Sequence, residues 1–88
     1  MSGYAVVWEL DATNKVAGYL GDATTPETRR SLAEVYVRVD ELAENPCPPD
    51  SHSWGPDHRR LHHGMWRILY RVDKAARTIY VEHVGRRR

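Results

Sequence analysis

Residues 58–71, HRRLHHGMWRILYR, hold three of the chain's five histidines and four of its eleven arginines. These are the side-chain types that could cleave RNA without a metal. Such a reaction needs a base to take the proton of the 2′-OH, cations to hold the extra negative charge on the phosphate, and an acid for the departing 5′-oxygen. Histidine titrates near neutrality, and arginine stays charged at every physiological pH. The same residue types also suit an ordinary solvated strand, so their placement decides what they can do.

A hairpin would place them. Gly64-Met65 reads as a two-residue loop whose glycine supplies the positive φ of the turn. His62 then faces Arg67, Leu61 faces Ile68, Arg60 faces Leu69, and His58 faces Arg71. If residues 73–76 form the next turn, Arg67 faces Glu82 and Tyr70 faces Ile79. Side chains alternate along a strand, so Leu61, Ile68, Tyr70, Ile79 and Val81 share the face that must meet the helices. His58, Arg60, His62, Arg67, Leu69, Arg71, Tyr80 and Glu82 share the other, which nothing else in the chain is long enough to cover.

On that face His62, Arg60 and Arg67 would lie within about 5 to 8 Å of one another at Cβ. This is a base with two fixed cations. Glu82 opposite Arg67 suits a surface ion pair better than a catalytic base, and His83, turned toward the helices near Trp66, suits a structural role. A metal site is disfavoured, because His58 and His62 would stand about 13 Å apart along one strand while His62 and His63 point to opposite faces. No cofactor is implied, and no serine or cysteine sits in a nucleophile motif.

The elements that carry this face follow from local signals. Residues 4–9 (YAVVWE) alternate as a strand does, with Tyr4, Val6 and Trp8 on one side. Asp11 offers an N-cap, and Val16, Tyr19 and Leu20 give a short helix stopped by Gly21. Thr25-Pro26-Glu27 starts a longer helix, along which Leu32, Val35, Val39 and Leu42 form one apolar stripe, and Asn45-Pro46 ends it. Residues 45–56 carry four of the five prolines and read as an irregular connection that Trp54 pins to the core. Strands are expected at about residues 57–63, 65–72 and 77–84. The predicted fold class is α+β: one β-α-α-β-β-β domain over residues 1–88, with two helices packed on one face of a twisted antiparallel sheet.

Charge is divided along the chain. Residues 1–50 hold four basic and nine acidic side chains, and residues 51–88 hold nine basic and three acidic, so a net charge of +1 conceals halves of −5 and +6. A polyanion would meet a polarised molecule. No apolar run approaches a membrane span and no secretory leader is recognisable, so no membrane partner is expected and the expected location is cytoplasmic. Cys47, the sole cysteine, can form no internal disulfide.

In YAVVW, the long helix ending LAENP, RRLHHGMWRILYRVD and TIYVEHVGRRR, the chain resembles the RelE/ParE superfamily of bacterial toxins over nearly its whole length. The specific parts are G-x-W-R-I-L-Y and the closing V-G-x-R. The resemblance implies a type II toxin neutralised by a cognate antitoxin, with no cofactor, acting as a metal-independent endoribonuclease on mRNA in the ribosomal decoding site. It carries the family's arginine after the hairpin turn onto Arg67 and its arginine after V-G onto Arg87, with Arg86 where a lysine or histidine often stands. Of the basic positions on the preceding strand, only Arg60 keeps the usual type, so the base role would pass to His62 or His58. Catalytic roles thus fall on His62, Arg60, Arg67 and Arg87, and substrate contacts on His58, Arg71, Arg86, Tyr80 and Glu82. Such toxins usually carry a tyrosine beyond this arginine, and none follows Arg87 here. The resemblance also admits a ParE-like toxin that inhibits DNA gyrase and cuts no RNA, or a weakly active member serving as an antitoxin-binding co-repressor.

Overall fold

The computed structural model describes residues 3–23 and 25–87; Arg88, which closes the V-G-R-R-R stretch, lies outside them. Its elements run β1 (Ala5–Trp8), α1 (Leu10–Asp22), α2 (Pro26–Glu41), β2 (Ser51–Ser53), β3 (His58–His63), β4 (Trp66–Asp73) and β5 (Thr78–Arg86). The strands form one sheet in the order β1-β5-β4-β3-β2. The expected α+β arrangement is present, with two refinements. β1 joins β5 in parallel, which makes the sheet mixed, and β2 is a short additional strand within the proline-rich connection.

α2 forms where its cap signals lie. Thr25 Oγ1 accepts a hydrogen bond from the Thr28 N–H at 3.2 Å, Pro26 occupies the first turn, and Glu27 meets the positive end of the helix dipole. The helix stops at Glu41, about a turn before Asn45-Pro46. α1 begins differently from expectation: its N-cap is Glu9, whose side chain makes no capping bond, and Asp11 lies in the first turn. The Asp11 carboxylate instead accepts from His83 Nδ1 at 3.0 Å, tying the helix to β5. α1 also continues past Gly21 to Asp22.

Between helices and sheet, Val16, Leu32, Val35, Val39, Leu61, Trp66, Ile68, Tyr70, Ile79, Val81 and Val84 are completely buried in one core. Each such large side chain contributes on the order of 1.5 to 3 kcal/mol of transfer free energy. The two buried polar tips are satisfied, Trp66 Nε1 donating to Ser31 Oγ at 2.9 Å and Tyr70 Oη to the Pro46 carbonyl at 2.7 Å.

Tyr70, not Trp54, pins the connection before β3. Trp54 is 51 % exposed, its ring edge-on to His58 at 6.0 Å between centroids. A second tether is Arg59, whose Nε donates to Ser51 Oγ at 2.9 Å and whose Nη2 donates to the Ser51 carbonyl at 3.2 Å. Among the described residues no helix is long and apolar enough to cross a membrane.

The β3–β4 register is the expected one: His62 pairs with Arg67, Leu61 with Ile68, Arg60 with Leu69 and His58 with Arg71, around a Gly64 at φ 57°. The β4–β5 register is not. The loop occupies residues 74–77, with Arg77 at φ 50°, so Asp73 pairs with Thr78 and Tyr70 with Val81 rather than Ile79. Glu82 is then an extra residue in β5, because Leu69 pairs with His83, Ile68 with Val84, and Arg67 with Gly85. This β-bulge changes which side chains reach the open face.

Candidate functional site

The open face is built on four strands and divides into two groups. β3 presents His58, Arg60 and His62 on alternate positions, and β4 answers with Arg71, Leu69 and Arg67. β2 adds a residue that the sequence reading missed: His52 pairs with Arg60, and its ring lies 6.3 Å from that of His62, tilted by 55°. Ser51 is buried while His52 and Ser53 are exposed, and nothing in so short and polar a stretch signals a strand in the sequence.

The bulge at Glu82 sorts the arginines at the end of β5. Without it Arg86 would share the side of Tyr80 and Glu82. With it Arg86 lies across from Trp66, on the helix side, its guanidinium 5.8 Å from the centre of that ring. Arg86 therefore leaves the group of substrate contacts assigned to it by sequence. Arg87 takes its place; its N–H donates to the Met65 carbonyl, which fastens the end of the chain to the β3–β4 turn.

The first group is His52, Arg60, His62, Arg67 and Arg87. Arg67 and Arg87 are exposed, and Arg60 and His62 are half-buried. Among the described residues, no carboxylate stands within ion-pair distance of Arg60, Arg67 or Arg87. Among the described residues two side-chain atoms are shielded from solvent yet lack a hydrogen-bond partner: Nε of Arg60 and Nε2 of His62. Orphaned polar atoms are uncommon in folded proteins and mark places where a ligand can supply the missing partner. Desolvation, followed by the charges of Arg87, Arg67 and Arg60 and by His52, holds the His62 pKa below its usual 6.5. The lowered pKa favours the neutral imidazole at pH 7, while the three arginines stay cationic. Gly85, opposite Arg67, carries no side chain that would crowd this corner; a Cβ there would come within 3.4 Å of His83 Nε2.

The second group satisfies itself. Glu82 stands 3.2 Å from His58 Nε2 and 3.4 Å from Arg71 Nε, and the Arg71 guanidinium lies 4.2 Å from the centre of the Tyr80 ring. Sequence reading set Glu82 against Arg67; the shifted register gives it to His58 and Arg71 instead. His58, Arg71, Tyr80 and Glu82 are thus placed on the expected face, where His58 and Arg71 share the Glu82 carboxylate and Tyr80 gives its ring face to Arg71. His63 points to the helix side and bonds Glu34 of α2 at 2.9 Å. The bulge sets His83 opposite Leu69 on the open face rather than toward the helices near Trp66, and its Nδ1 bonds Asp11 of α1 at 3.0 Å.

Solved structures share this fold. The toxin–antitoxin complex RelBE2 from Mycobacterium tuberculosis superposes with a TM-score of 0.77 at 22 % identity, covering 99 % of this chain and 94 % of that one. The chromosomal ParDE system from P. aeruginosa gives a TM-score of 0.79 at 15 % identity with complete coverage of both chains. The archaeal RelE–RelB complex from Pyrococcus horikoshii gives 0.67 at 19 %, covering 99 % and 97 %. No curated protein sequence matches the chain. The architecture is that of the RelE/ParE toxins. Residues 10–88 match the family model described as the ParE toxin of type II toxin–antitoxin systems, and the chain belongs to that family.

Proposed function

We propose that this toxin cleaves mRNA on the ribosome, using the group around His62, and that a cognate antitoxin neutralises it in the cytoplasm. The observation that carries the reading is a neutral, partnerless imidazole set among three arginines that no carboxylate neutralises. A ring nitrogen of His62 takes the proton of a 2′-hydroxyl, and the 2′-oxygen attacks the adjacent phosphorus. Arg60, Arg67 and Arg87 hold the charge that gathers on the phosphoryl oxygens. The bond from phosphorus to the 5′-oxygen then breaks, leaving a 2′,3′-cyclic phosphate and a 5′-hydroxyl. After desolvation, the charges of the same arginines further favour the neutral form of the base, so base and electrostatic stabiliser support each other.

The test is induction in cells followed by primer extension on translated mRNA. Discrete cuts that vanish in Arg67→Ala, with growth restored and the fold retained, support this reading. A folded Arg67→Ala protein as toxic as the wild type would refute it. The family match favours a second reading, in which the same arginines contact DNA gyrase and no RNA is cut. Intact mRNA accompanied by DNA damage after induction selects that one. A wild-type protein that is harmless yet binds its antitoxin tightly would mark a co-repressor.

A further inference from the structure

Transesterification of RNA needs two proton transfers, and His62 accounts for one of them. A second group must protonate the 5′-oxygen as it leaves, since an alkoxide is a poor leaving group in neutral water. Arginine cannot serve, because its guanidinium does not release a proton at any pH a protein survives. On the open face Tyr80 and His58 stand level with Arg71, four residues along β4 from Arg67. There Tyr80 lies beneath Arg71 and His58 is held by Glu82, while His83 is held by Asp11. His52 is left. It is exposed, and no hydrogen bond or ion pair holds its ring among the described residues.

Its position fits the task. His52 is the ladder partner of Arg60, one of the cations that would seat the phosphate, and its ring centre is 6.3 Å from that of His62. Two imidazoles acting on opposite sides of one phosphate must each come within about 2.6 to 3.2 Å of their oxygen, so their rings must face each other across a gap rather than touch. A separation of 6.3 Å leaves such a gap. We propose that His52 is the general acid of the reaction, paired with His62 across the scissile phosphate.

In the forward step the protonated His52 donates to the 5′-oxygen while the bond from phosphorus to that oxygen breaks. His62 meanwhile holds the proton taken from the 2′-hydroxyl. His52 ends neutral and His62 protonated, and exchange with water restores both. The proposal rests on the ribonuclease reading above and adds a residue on β2 that neither the arginine cluster nor the β3–β4 hairpin contains.

A leaving-group substitution tests it. Ribosomes are programmed with an RNA carrying one scissile linkage, made either with its ordinary 5′-oxygen or with sulfur in that bridging position. Sulfur departs as a thiolate and needs no proton. His52→Ala should cut the oxygen linkage on the order of a hundredfold more slowly than wild type and the sulfur linkage at nearly the wild-type rate. His62→Ala should be slow on both. His52→Gln, which keeps bulk and polarity, should behave like His52→Ala, and circular dichroism establishes that each variant is folded. His52→Ala slowed equally on both linkages, or on neither, overturns the proposal while leaving the ribonuclease reading in place. A wild-type protein that cuts neither linkage overturns that reading, and the proposal with it.

Discussion

The bulge at Glu82 predicts that two adjacent arginines differ in their response to salt. Each cation that neutralises a phosphate of a single strand contributes about −0.7 to the slope of log affinity against log salt. Arg60, Arg67 and Arg87 are the open-face arginines without a carboxylate, whereas Arg71 is paired with Glu82 and Arg86 lies over Trp66. Three contacts give a slope of about −2, so affinity for a non-cleavable, 2′-O-methylated oligonucleotide should fall about 20-fold between 50 and 200 mM salt. Arg87→Ala should reduce the slope to about −1.4 and the fall to about sevenfold. Arg86→Ala should leave both at the wild-type value. Fluorescence anisotropy of a labelled oligonucleotide across four salt concentrations measures this directly. Equal slopes for Arg86→Ala and Arg87→Ala, both shallower than wild type, would refute the division of the two residues between opposite faces.

For the proposed ribonuclease reaction, the pH dependence of cleavage has a definite sign. Desolvation and then Arg87 depress the His62 pKa, so the base stays neutral, and the rate stays high, to lower pH than an ordinary histidine allows. Arg87→Ala should raise that pKa and move the acid limb of the rate profile upward; a limb that stays in place or moves down would exclude His62 as the base. Stability follows the same sign: the unfolded chain binds this proton more readily, so wild type should lose stability on acidification below about pH 6.5, a loss smaller in His62→Gln by thermal melting. Tyr70→Phe removes the hydroxyl bonded to Pro46 and should lower stability by about 1 kcal/mol, or Tm by about 4 to 8 °C, with a helical spectrum unchanged. Trp54→Ala should cost less than about 1 kcal/mol, and Trp66→Ala about 3 to 5, on chemical denaturation. Comparable losses would contradict the exposed position of Trp54.

What the sequence made legible was set by local chemistry. Gly64 fixes a short loop, and that alone determines every pair from His58–Arg71 to His62–Arg67. Thr25-Pro26-Glu27 carries its cap in adjacent residues, and the stripe of Leu32, Val35, Val39 and Leu42 reports the buried side of α2. The failures arise where a position obeys the tertiary structure over its own preference. Arg77 takes a positive φ that glycine or asparagine would have advertised, so the loop begins one residue later than its composition suggests. Glu82 bulges although nothing in its type distinguishes it from a regular strand residue, and the faces of Arg86 and Arg87 exchange in consequence. β2 is three residues long and polar, below the length at which alternation can be recognised, which is why His52 was overlooked. The hydrophobicity of Trp54 suggests a core anchor, but its backbone N–H bonds the His58 carbonyl and its ring lies exposed beside His58.

Arg59 lies in the basic stretch that first draws attention, yet it faces the helix side and is spent on Ser51. Its two hydrogen bonds hold the first residue of β2, which stands at the edge of the sheet beside β3. Edge segments of this size open far more often than central strands, and amide protons of residues 51–53 should exchange with solvent well before those of β4. Together with the bonds from Ser51 to the Pro48 carbonyl, Arg59 thereby helps hold in place the strand that carries His52. Arg59→Ala should speed exchange in that strand and lower the cleavage rate without altering the salt slope of binding, so the residue acts as a latch on the site's occupancy in time rather than as part of its charge.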